Sequence, residues 1–351
     1  MKLLFIIVCF LVGIAMTHPV GKNLIIDTDL FSDVDDAGAL LLAATSPHAN
    51  LLAVNINYPS TYSALAASAI LAHYGQSEVP IGILRPLTND TFVDSWYHKL
   101  GEYAKKVADR WPEGSLPRGH AEDAWDPVAL YRKVLAEAED VSVTIASIGF
   151  FENLSGLLNS TADSYSDLSG RELVARKVSE LVIMGGDYPY GHSYNFWGSN
   201  ASLAAHVVNT WEGRMVFVGG DVGKNVKSGG PLMAMGPDMD PVAMAYIEYT
   251  NHTPHSSWDP LAVLYAIYGL GDLFQFGNEY GFNNVEPNGS NRWIWDDKVR
   301  HQFFLRLKCD EETAAAEVDR LFLQGARSVT NQTGSTTTRQ SRPMKPVHEE
   351  L

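Results

Sequence analysis

Five aspartates lie close together near the start of the chain, at Asp27, Asp29, Asp33, Asp35 and Asp36, with no lysine or arginine among them. The apolar run of small residues at 38–44 predicts a helix that follows directly. The first turn of a helix favours negative charge, but its dipole amounts to only about half a positive charge. Two carboxylates about 4 Å apart repel by about 4 kcal/mol at an effective dielectric near 20. The acids must therefore spread into water, take up protons or hold a hard cation.

We favour a cation, and Ca²⁺ in particular, because calcium accepts many carboxylate and carbonyl oxygens in loose geometry. The alternative is a solvated acidic turn that caps the helix. An EF-hand is excluded, because its fifth, sixth and twelfth positions, counted from Asp27, are Phe31, Ser32 and Gly38. A phosphatase of the haloacid dehalogenase type also opens with Asp-x-Asp after a strand. Since residues 220–225 faintly resemble its later acidic loop, a phosphatase remains a second candidate.

Strands and helices are predicted to alternate along the chain. Predicted strands lie at 24–26, 50–57, 141–148, 181–184 and 215–218, and predicted helices lie at 63–74, 126–138 and 259–268. This order indicates an α/β fold with an open, mostly parallel, Rossmann-like sheet flanked by helices and right-handed crossovers. Ligands of such sheets bind outside the carboxyl ends of the strands, where Asp29 and Asn57 fall. Residues 90–120 suggest a polar helical insertion or loop, and residues 303–307 and 311–324 suggest closing strand or helix pieces.

The acidic stretch resembles a known family signature. Asp27-Thr-Asp29, followed by Asp33-Val-Asp35-Asp36-Ala, is similar to the N-terminal motif of the inosine-uridine preferring nucleoside hydrolases. The resemblance extends over roughly residues 22–325. It implies the nucleoside hydrolase fold, Ca²⁺ as cofactor, and hydrolysis of the N-glycosidic bond of a nucleoside to a free base and ribose. The transition state would be oxocarbenium-like, as in glycosidases.

The resemblance also implies a metal site. Calcium would be held by Asp29, Asp36, Asp259 and the main-chain carbonyl of Glu152, with Asp29 as general base and Asp35 accepting from a ribose hydroxyl. Glu152 lies in Gly-Phe-Phe-Glu-Asn-Leu at 149–154, which is similar to the family's Gly-Pro-Leu-Thr-Asn-Leu turn. The family ligand there is main chain, so a different side chain is tolerated. The loop is two residues longer than in the family, which makes Asp33 an alternative member of the acidic pair.

Two stretches would bind the sugar. Asn57 resembles the family's ribose-contacting asparagine after the second strand, although a plain turn residue is the alternative. Ser-Tyr-Asn-Phe-Trp-Gly-Ser at 193–199 resembles Glu-Phe-Asn-x-Trp-x-Asp, whose Glu and Asn hold ribose hydroxyls. Asn195 matches, but Ser193 and Ser199 replace acids. Each lost charge-assisted hydrogen bond would cost about 1.5–3 kcal/mol, which Asp187 is expected to offset in part.

The largest departure from the family concerns the leaving group. Residues 257–262 resemble His-Asp-Pro-Leu-Ala, but Trp258 stands where the histidine belongs. Tryptophan cannot donate a proton at neutral pH, although its face can stack on a base. We therefore expect His255 or His192 to act as the acid, with His252 also near, or only good leaving groups to be cleaved. A calcium-dependent ribosyl-binding protein without turnover is the alternative.

Composition limits the partners. With 351 residues, 46% of them hydrophobic, the chain can bury a sizeable core, and a formal charge of -15 argues against nucleic acid or an anionic membrane. The expected partner is a small nucleoside. The resemblance also suggests a homodimer or homotetramer.

The N-terminal segment and the glycosylation acceptors predict that the protein is exported. Residues 1–17 form a basic and then apolar segment that is typical of a secretory signal peptide, too short to span a bilayer. A domain at 18–327 and a disordered polar tail at 328–351 would follow. Cys9 would leave with the signal, so Cys309 has no partner for an intramolecular disulfide. Seven Asn-x-Ser/Thr acceptors support secretion, at Asn89, Asn153, Asn159, Asn200, Asn251, Asn288 and Asn331. We expect Asn153 to be unmodified because it lies near the predicted site.

Overall fold

The computed structural model describes residues 21–91, 102–112, 114, 116 and 120–337, with side chains as far as Val329. The predicted signal peptide and residues 338–351 lie outside this part of the chain. No helix within the described ranges is both long and apolar enough to cross a membrane.

The described residues form thirteen strands, eight of which make up the main sheet. The strands are β1 (Lys22–Thr28), β2 (Ala49–Ile56), β3 (Ile81–Ile83), β4 (Val143–Ser147), β5 (Val178–Met184), β6 (Tyr190–Gly191), β7 (Met215–Val218), β8 (Lys227–Ser228), β9 (His255–Ser256), β10 (Phe274–Phe276), β11 (Phe282–Val285), β12 (Asn291–Ile294) and β13 (Gln302–Leu307). The sheet has the order β10-β13-β7-β5-β4-β1-β2-β3. All neighbours in it are parallel except β10, which runs antiparallel to β13 at the edge. The predicted fold class is confirmed.

Helices cover both faces of this sheet. They are α1 (Asp35–Thr45), α2 (Thr61–His73), α3 (Tyr103–Arg110), α4 (Pro127–Glu137), α5 (Glu152–Asn159), α6 (Gly170–Lys177), α7 (Tyr194–Trp197), α8 (Ala201–Thr210), α9 (Gly220–Gly223), α10 (Gly230–Met235), α11 (Pro241–Thr250), α12 (Trp258–Tyr268) and α13 (Glu311–Thr337). Successive residues of a strand point to opposite faces. Leu24 and Ile26 accordingly join the core under α1 and α12, whereas Ile25 joins the core under α4 and α5. Burial on both faces explains why β1 is apolar without alternation.

The path of the chain creates a crevice beside β1. From β1 the chain moves outward through β2 and β3, and it then returns to place β4 on the other side of β1. The connections after β1 and β4 therefore diverge to opposite faces. Such a switch point at the carboxyl edge is where ligands of doubly wound sheets bind. Residues that follow β1 and β4 are thus brought to one place.

The structure corrects one boundary and adds elements that the sequence did not indicate. Helix α13 continues to Thr337, so residues 328–337 are helical instead of forming part of a disordered tail. The helix is anchored by buried Val318, Phe322 and Ala326, and Val329 still packs on the core. Within the polar stretch at 90–120, residues 103–110 form α3. The small sheet β11-β12-β6 was not predicted, because its short strands depend on long-range pairing.

The acceptor asparagines differ in exposure. The side chains of Asn89, Asn159, Asn200, Asn251 and Asn288 are exposed, whereas Asn153 is 1% exposed. Burial of Asn153 agrees with the expectation that it carries no glycan. Cys309 is partly buried and free.

Candidate active site

The acidic loop after β1 lies at the switch point. Asp27 is the penultimate residue of β1, Asp29 is the first residue after that strand, and Asp35 and Asp36 are the first two residues of α1. These four side chains are at most 2% exposed. Asp33 is partly exposed, and its carboxylate lies 3.3 Å from His255 Nε2. The alternative of acids that spread into water is therefore wrong for all but Asp33.

A sixth aspartate joins this cluster from the far end of the chain. Asp259 lies in the first turn of α12 and is buried. Asp35, Asp36 and Asp259 each offer an oxygen, and the three atoms lie within 4.8 Å of one another. The contact is built by Asp35, whose Oδ2 accepts from the backbone N–H groups of Trp258 at 2.9 Å and Asp259 at 3.1 Å. Asp35 thus holds the first turn of α12 in place, and that turn carries Asp259.

Burial, together with the charges of neighbouring acids, raises the pKa of most of these acids. Burial, followed by the charge of Asp33, raises the pKa of Asp29 to about 8. The pKa of Asp36 is raised well above its ordinary value by burial and the charge of Asp29, and that of Asp259 by burial and the charge of Asp35. Burial also acts on Asp33, but the hydrogen bond and charge of His255 outweigh it and lower the pKa. The cluster holds more negative charge than the protein itself neutralises.

A hard cation fits this cluster. Asp35 Oδ1 and Asp36 Oδ2 are buried and have no hydrogen-bond partner among the described residues. The other oxygen of Asp36 accepts from Thr28 Oγ1. Unpaired carboxylate oxygens in a buried cluster need a positive charge or a donor, and an all-oxygen ligand set suits calcium. A second group of possible ligands, formed by Asp33, Asp35 and His255, lies directly beside the first.

Asp27 organises the floor of the site, which the sequence did not indicate. Its Oδ1 accepts from Asn57 Nδ2 at 2.6 Å and from Asn153 Nδ2 at 3.2 Å, and its Oδ2 accepts from the Tyr131 hydroxyl at 2.7 Å. Burial raises the pKa of Asp27 to about 7 despite these bonds. The Asp-x-Asp spacing was a usable signal, since residues two apart on a strand share a face. Tyr131, on α4, gave no signal in the sequence.

Asn57 is held on both sides of its amide. While Nδ2 donates to Asp27, Oδ1 accepts from the Phe150 backbone N–H at 3.0 Å. The chain at this point approaches so closely that a Cβ on Gly149 would lie 2.7 Å from Asp29 Oδ1. Asn57 thus joins the ends of β1, β2 and β4. Its predicted contact with ribose stays a prediction.

Glu152 and the stretch from Ser193 to Ser199 form the opposite wall. Asn195 lies on α7, and its Nδ2 donates to the carbonyls of Ile148 at 3.1 Å and Met184 at 3.2 Å. Glu152 is the first residue of α5, so its carbonyl is at the predicted turn. Its Oε1 accepts from Ser199 Oγ, and its Oε2 is buried without a partner among the described residues. Ser193 is buried at the start of α7.

Asp187 lies just beyond β5, where the small sheet begins. Its Oδ2 accepts from the His192 backbone N–H at 3.3 Å, and its own N–H donates to Asn291 Oδ1 at 3.0 Å. These contacts attach it to the small sheet. Its predicted part in sugar binding stays a prediction.

Trp258 and the three candidate histidines occupy different surroundings. The Trp258 indole N–H donates to the Gly220 carbonyl at 2.8 Å, so only the ring remains for a ligand. His255 contacts Asp33, and its ring meets that of Trp258 edge-on with centroids 5.9 Å apart. His192 stacks on Trp197, and His252 is exposed. Of the three, His255 is the one in contact with the acidic loop.

The doubly wound α/β sheet has a buried acidic cluster at its switch point, an arrangement that suits a hard cation and a small ligand. Comparison with known proteins gives the family. A sequence model of the inosine-uridine preferring nucleoside hydrolases matches residues 24–338, and the chain belongs to this family. None of the curated proteins matches the sequence.

Solved structures have the same fold. A plant nucleoside hydrolase (PpNRh1) is 18% identical, with 86% of this chain and 99% of that one covered at a TM-score of 0.63. An inosine-uridine preferring nucleoside hydrolase from Bacillus anthracis is 14% identical, with 87% and 99% covered at a TM-score of 0.63. An inosine-guanosine nucleoside hydrolase is 16% identical, with 88% and 98% covered at a TM-score of 0.59. At these identities the likeness concerns the fold.

Proposed function

We propose that the protein is a calcium-dependent nucleoside hydrolase that cleaves ribonucleosides to a free base and ribose. The observation that carries the proposal is the buried group of Asp35, Asp36 and Asp259, with unpaired carboxylate oxygens, at the switch point of a family member's sheet. A phosphatase of the haloacid dehalogenase type is set aside, because the family assignment accounts for the whole acidic loop.

The cation would be held by Asp29, Asp36, Asp259 and the Glu152 carbonyl, beside Asp35. Calcium bound there would act as a template for the attacking water and the vicinal sugar hydroxyls and would lower the pKa of that water. Asp29 would take the proton from the water as general base, and a cation beside it would favour its ionised form. Asp35 would accept from a ribose hydroxyl through Oδ1, since Oδ2 is already occupied by α12.

Cleavage of the N-glycosidic bond also requires protonation of the leaving base. The water oxygen bonds to the anomeric carbon as the C–N bond breaks, and the electron pair of that bond leaves with the base. The base then needs a proton. His255 is our candidate donor, because the Asp33 carboxylate beside Nε2 holds the ring at the edge of the acidic loop. Trp258 would stack on the base with its face.

The proposal is tested by release of free base and ribose from a panel of purine and pyrimidine ribonucleosides, with calcium and with a chelator. We expect calcium-dependent release by the wild type, loss in Asp29→Ala, and full activity in the exposed control Asp167→Asn. His255→Asn should slow nucleosides while sparing a riboside with a nitrophenolate leaving group. Unchanged rates on nucleosides in His255→Asn would refute the acid assignment.

A calcium-dependent ribosyl-binding protein is the second candidate. The observation in its favour is Trp258, which lacks a titrating group and has its N–H engaged by Gly220. Calorimetry separates the two functions: nucleoside binding with calcium but no product from any nucleoside would establish the binding protein.

Export and assembly belong to the same proposal. The apolar segment at 1–17 and the exposed acceptor asparagines support secretion as a glycoprotein, and family membership supports a homodimer or homotetramer. N-terminal sequencing of protein from the medium of expressing cells would detect removal of the signal peptide, and retention of Met1 would refute it. Light scattering gives the number of subunits, and a monomer would refute the assembly.

A further inference from the structure

The wall formed by Glu152 and residues 193–199 is attached to the sheet at the ends of β4 and β5. Besides the two hydrogen bonds of Asn195, the ring of Tyr194 lies 5.7 Å from that of Phe150 between centroids, and Phe196 meets Phe151 edge-on at 5.5 Å. The segment that ends at Ser199 therefore sits on the turn that leads into α5. A ligand at this wall would meet side chains whose positions are already fixed.

Glu152 is the carboxylate that the structure places at this wall. Its two oxygens differ in hydrogen bonding. Oε1 accepts from Ser199 Oγ, whereas Oε2 is buried and has no hydrogen-bond partner among the described residues. The next residue, Asn153, donates to Asp27 Oδ1 at 3.2 Å, which places Glu152 beside the acidic floor. A buried carboxylate oxygen without a donor is unfavourable. A ligand that donates a hydrogen bond to Glu152 Oε2 would satisfy this oxygen.

The kind of ligand follows from the neighbouring groups. The unpaired buried atoms in this region include four acceptors, Asp35 Oδ1, Asp36 Oδ2, Asn153 Oδ1 and Glu152 Oε2. A molecule with several hydroxyl groups can satisfy such a set, because each hydroxyl donates one hydrogen bond. The serines at 193 and 199 carry no charge, so Glu152 provides the charge-assisted acceptor on this side.

We infer that the Glu152 carboxylate, held in place by Ser199, accepts a hydrogen bond from the 5′-hydroxyl of the sugar and so sets the sugar specificity. The inference rests on the proposed function, in which the vicinal hydroxyls are bound on the side of Asp35 and the cation. A nucleoside then has one hydroxyl left, the 5′-hydroxyl, for the wall formed by α5 and α7. Ser199 acts as a positioning residue through its bond to Oε1.

The test compares a ribonucleoside with its 5′-deoxy analogue. In Glu152→Gln we expect kcat/KM for the ribonucleoside to fall about 10- to 100-fold, the range for a hydrogen bond to a charged group, and that for the 5′-deoxy compound to change less than about twofold. Ser199→Ala should produce a smaller loss with the same selectivity. Calcium affinity by calorimetry should change far less than kcat/KM in Glu152→Gln, since the proposed ligand is main chain. The exposed Glu212→Gln is the matched control.

The outcomes separate this inference from the proposed function. Equal losses on both substrates, or none, would overturn the role of Glu152 while leaving the hydrolase intact. If the wild type turns over neither compound, calorimetric binding is compared instead. Tighter binding of the ribonucleoside that disappears in Glu152→Gln would support the inference and overturn hydrolysis. Absence of binding to both compounds would overturn both.

Discussion

Removal of calcium should make this protein lose stability as the pH rises from about 5 to about 7. In the metal-free folded chain the pKa of Asp27 is about 7 and that of Asp29 about 8, against 3.8 in an unfolded chain. At pH values below the unfolded value both states are protonated, and the acids carry no penalty. Above it the unfolded chain ionises first, so the stability contribution falls until the pH passes the folded value.

The magnitude follows from the two pKa values. Each pH unit between the unfolded and folded pKa is worth about 1.36 kcal/mol, so two units cost about 2.7 kcal/mol for either Asp27 or Asp29. Asp36 and Asp259 shift in the same direction. The losses are not simply additive because the acids interact. Against a typical stability of about 5–15 kcal/mol, a loss of this size is large.

Urea unfolding followed by tryptophan fluorescence, at about pH 5 and about pH 7, measures the effect with and without calcium. Lowered pKa values of His73 and His206, caused by burial, give an opposite trend over the same range. The comparison with Asp29→Asn therefore isolates the acids, and Asp167→Asn is the surface control. Calcium at the proposed site would bind the ionised form and so should reverse the trend. A metal-free wild type whose pH dependence equals that of Asp29→Asn would refute the reasoning.

Two further substitutions test the walls of the site. In Trp258→Phe the hydrogen bond to the Gly220 carbonyl is lost, so the free energy of unfolding should fall by about 1 kcal/mol while KM for nucleosides stays near the wild-type value, because the ring still stacks. A large rise in KM would show that the indole N–H matters for the substrate. In Gly149→Ala the new methyl would clash with the Asp29 backbone nitrogen and lie 2.8 Å from Asn57 Oδ1, and displacement should cost about 1–3 kcal/mol. Calorimetry should then show weaker calcium binding, and unaltered affinity would contradict the assigned close contact.

The sheet was predictable because its strands are buried on both faces. Continuous apolar runs such as 181–184 and 215–218 identify parallel strands without any knowledge of their partners. Strand order was not predictable in detail from these runs. The two-residue strands and the small sheet escaped prediction, because their stability comes from partners distant in the chain, such as Tyr190 with Arg292. Helix α13 extends beyond its predicted end at residue 324, and its buried residues Val318, Phe322 and Ala326 anchor it to the core.

Within the site, residue types were predictable and their partners were not. The motif predicted Asp29, Asp36 and Asp259 as acids of one site, and the structure does bring Asp36 and Asp259 together with Asp35. It did not indicate that Asp27 binds Asn57, Asn153 and Tyr131. Hydrogen bonds between side chains far apart in sequence depend on rotamers and packing that only the folded chain defines.

In three of the acids at the site, the two oxygens of one carboxylate have different roles, and this difference explains how the fold accommodates them. Asp35 uses one oxygen to hold the first turn of α12, Asp36 uses one for Thr28, and Glu152 uses one for Ser199. In each case the fold fixes the side chain through that oxygen and leaves the other unpaired and buried. The folded protein is therefore strained electrostatically in a defined way, which a cation and a hydroxyl-rich ligand relieve. The same unpaired oxygens that weaken the metal-free protein would supply its affinity for the proposed cation and substrate.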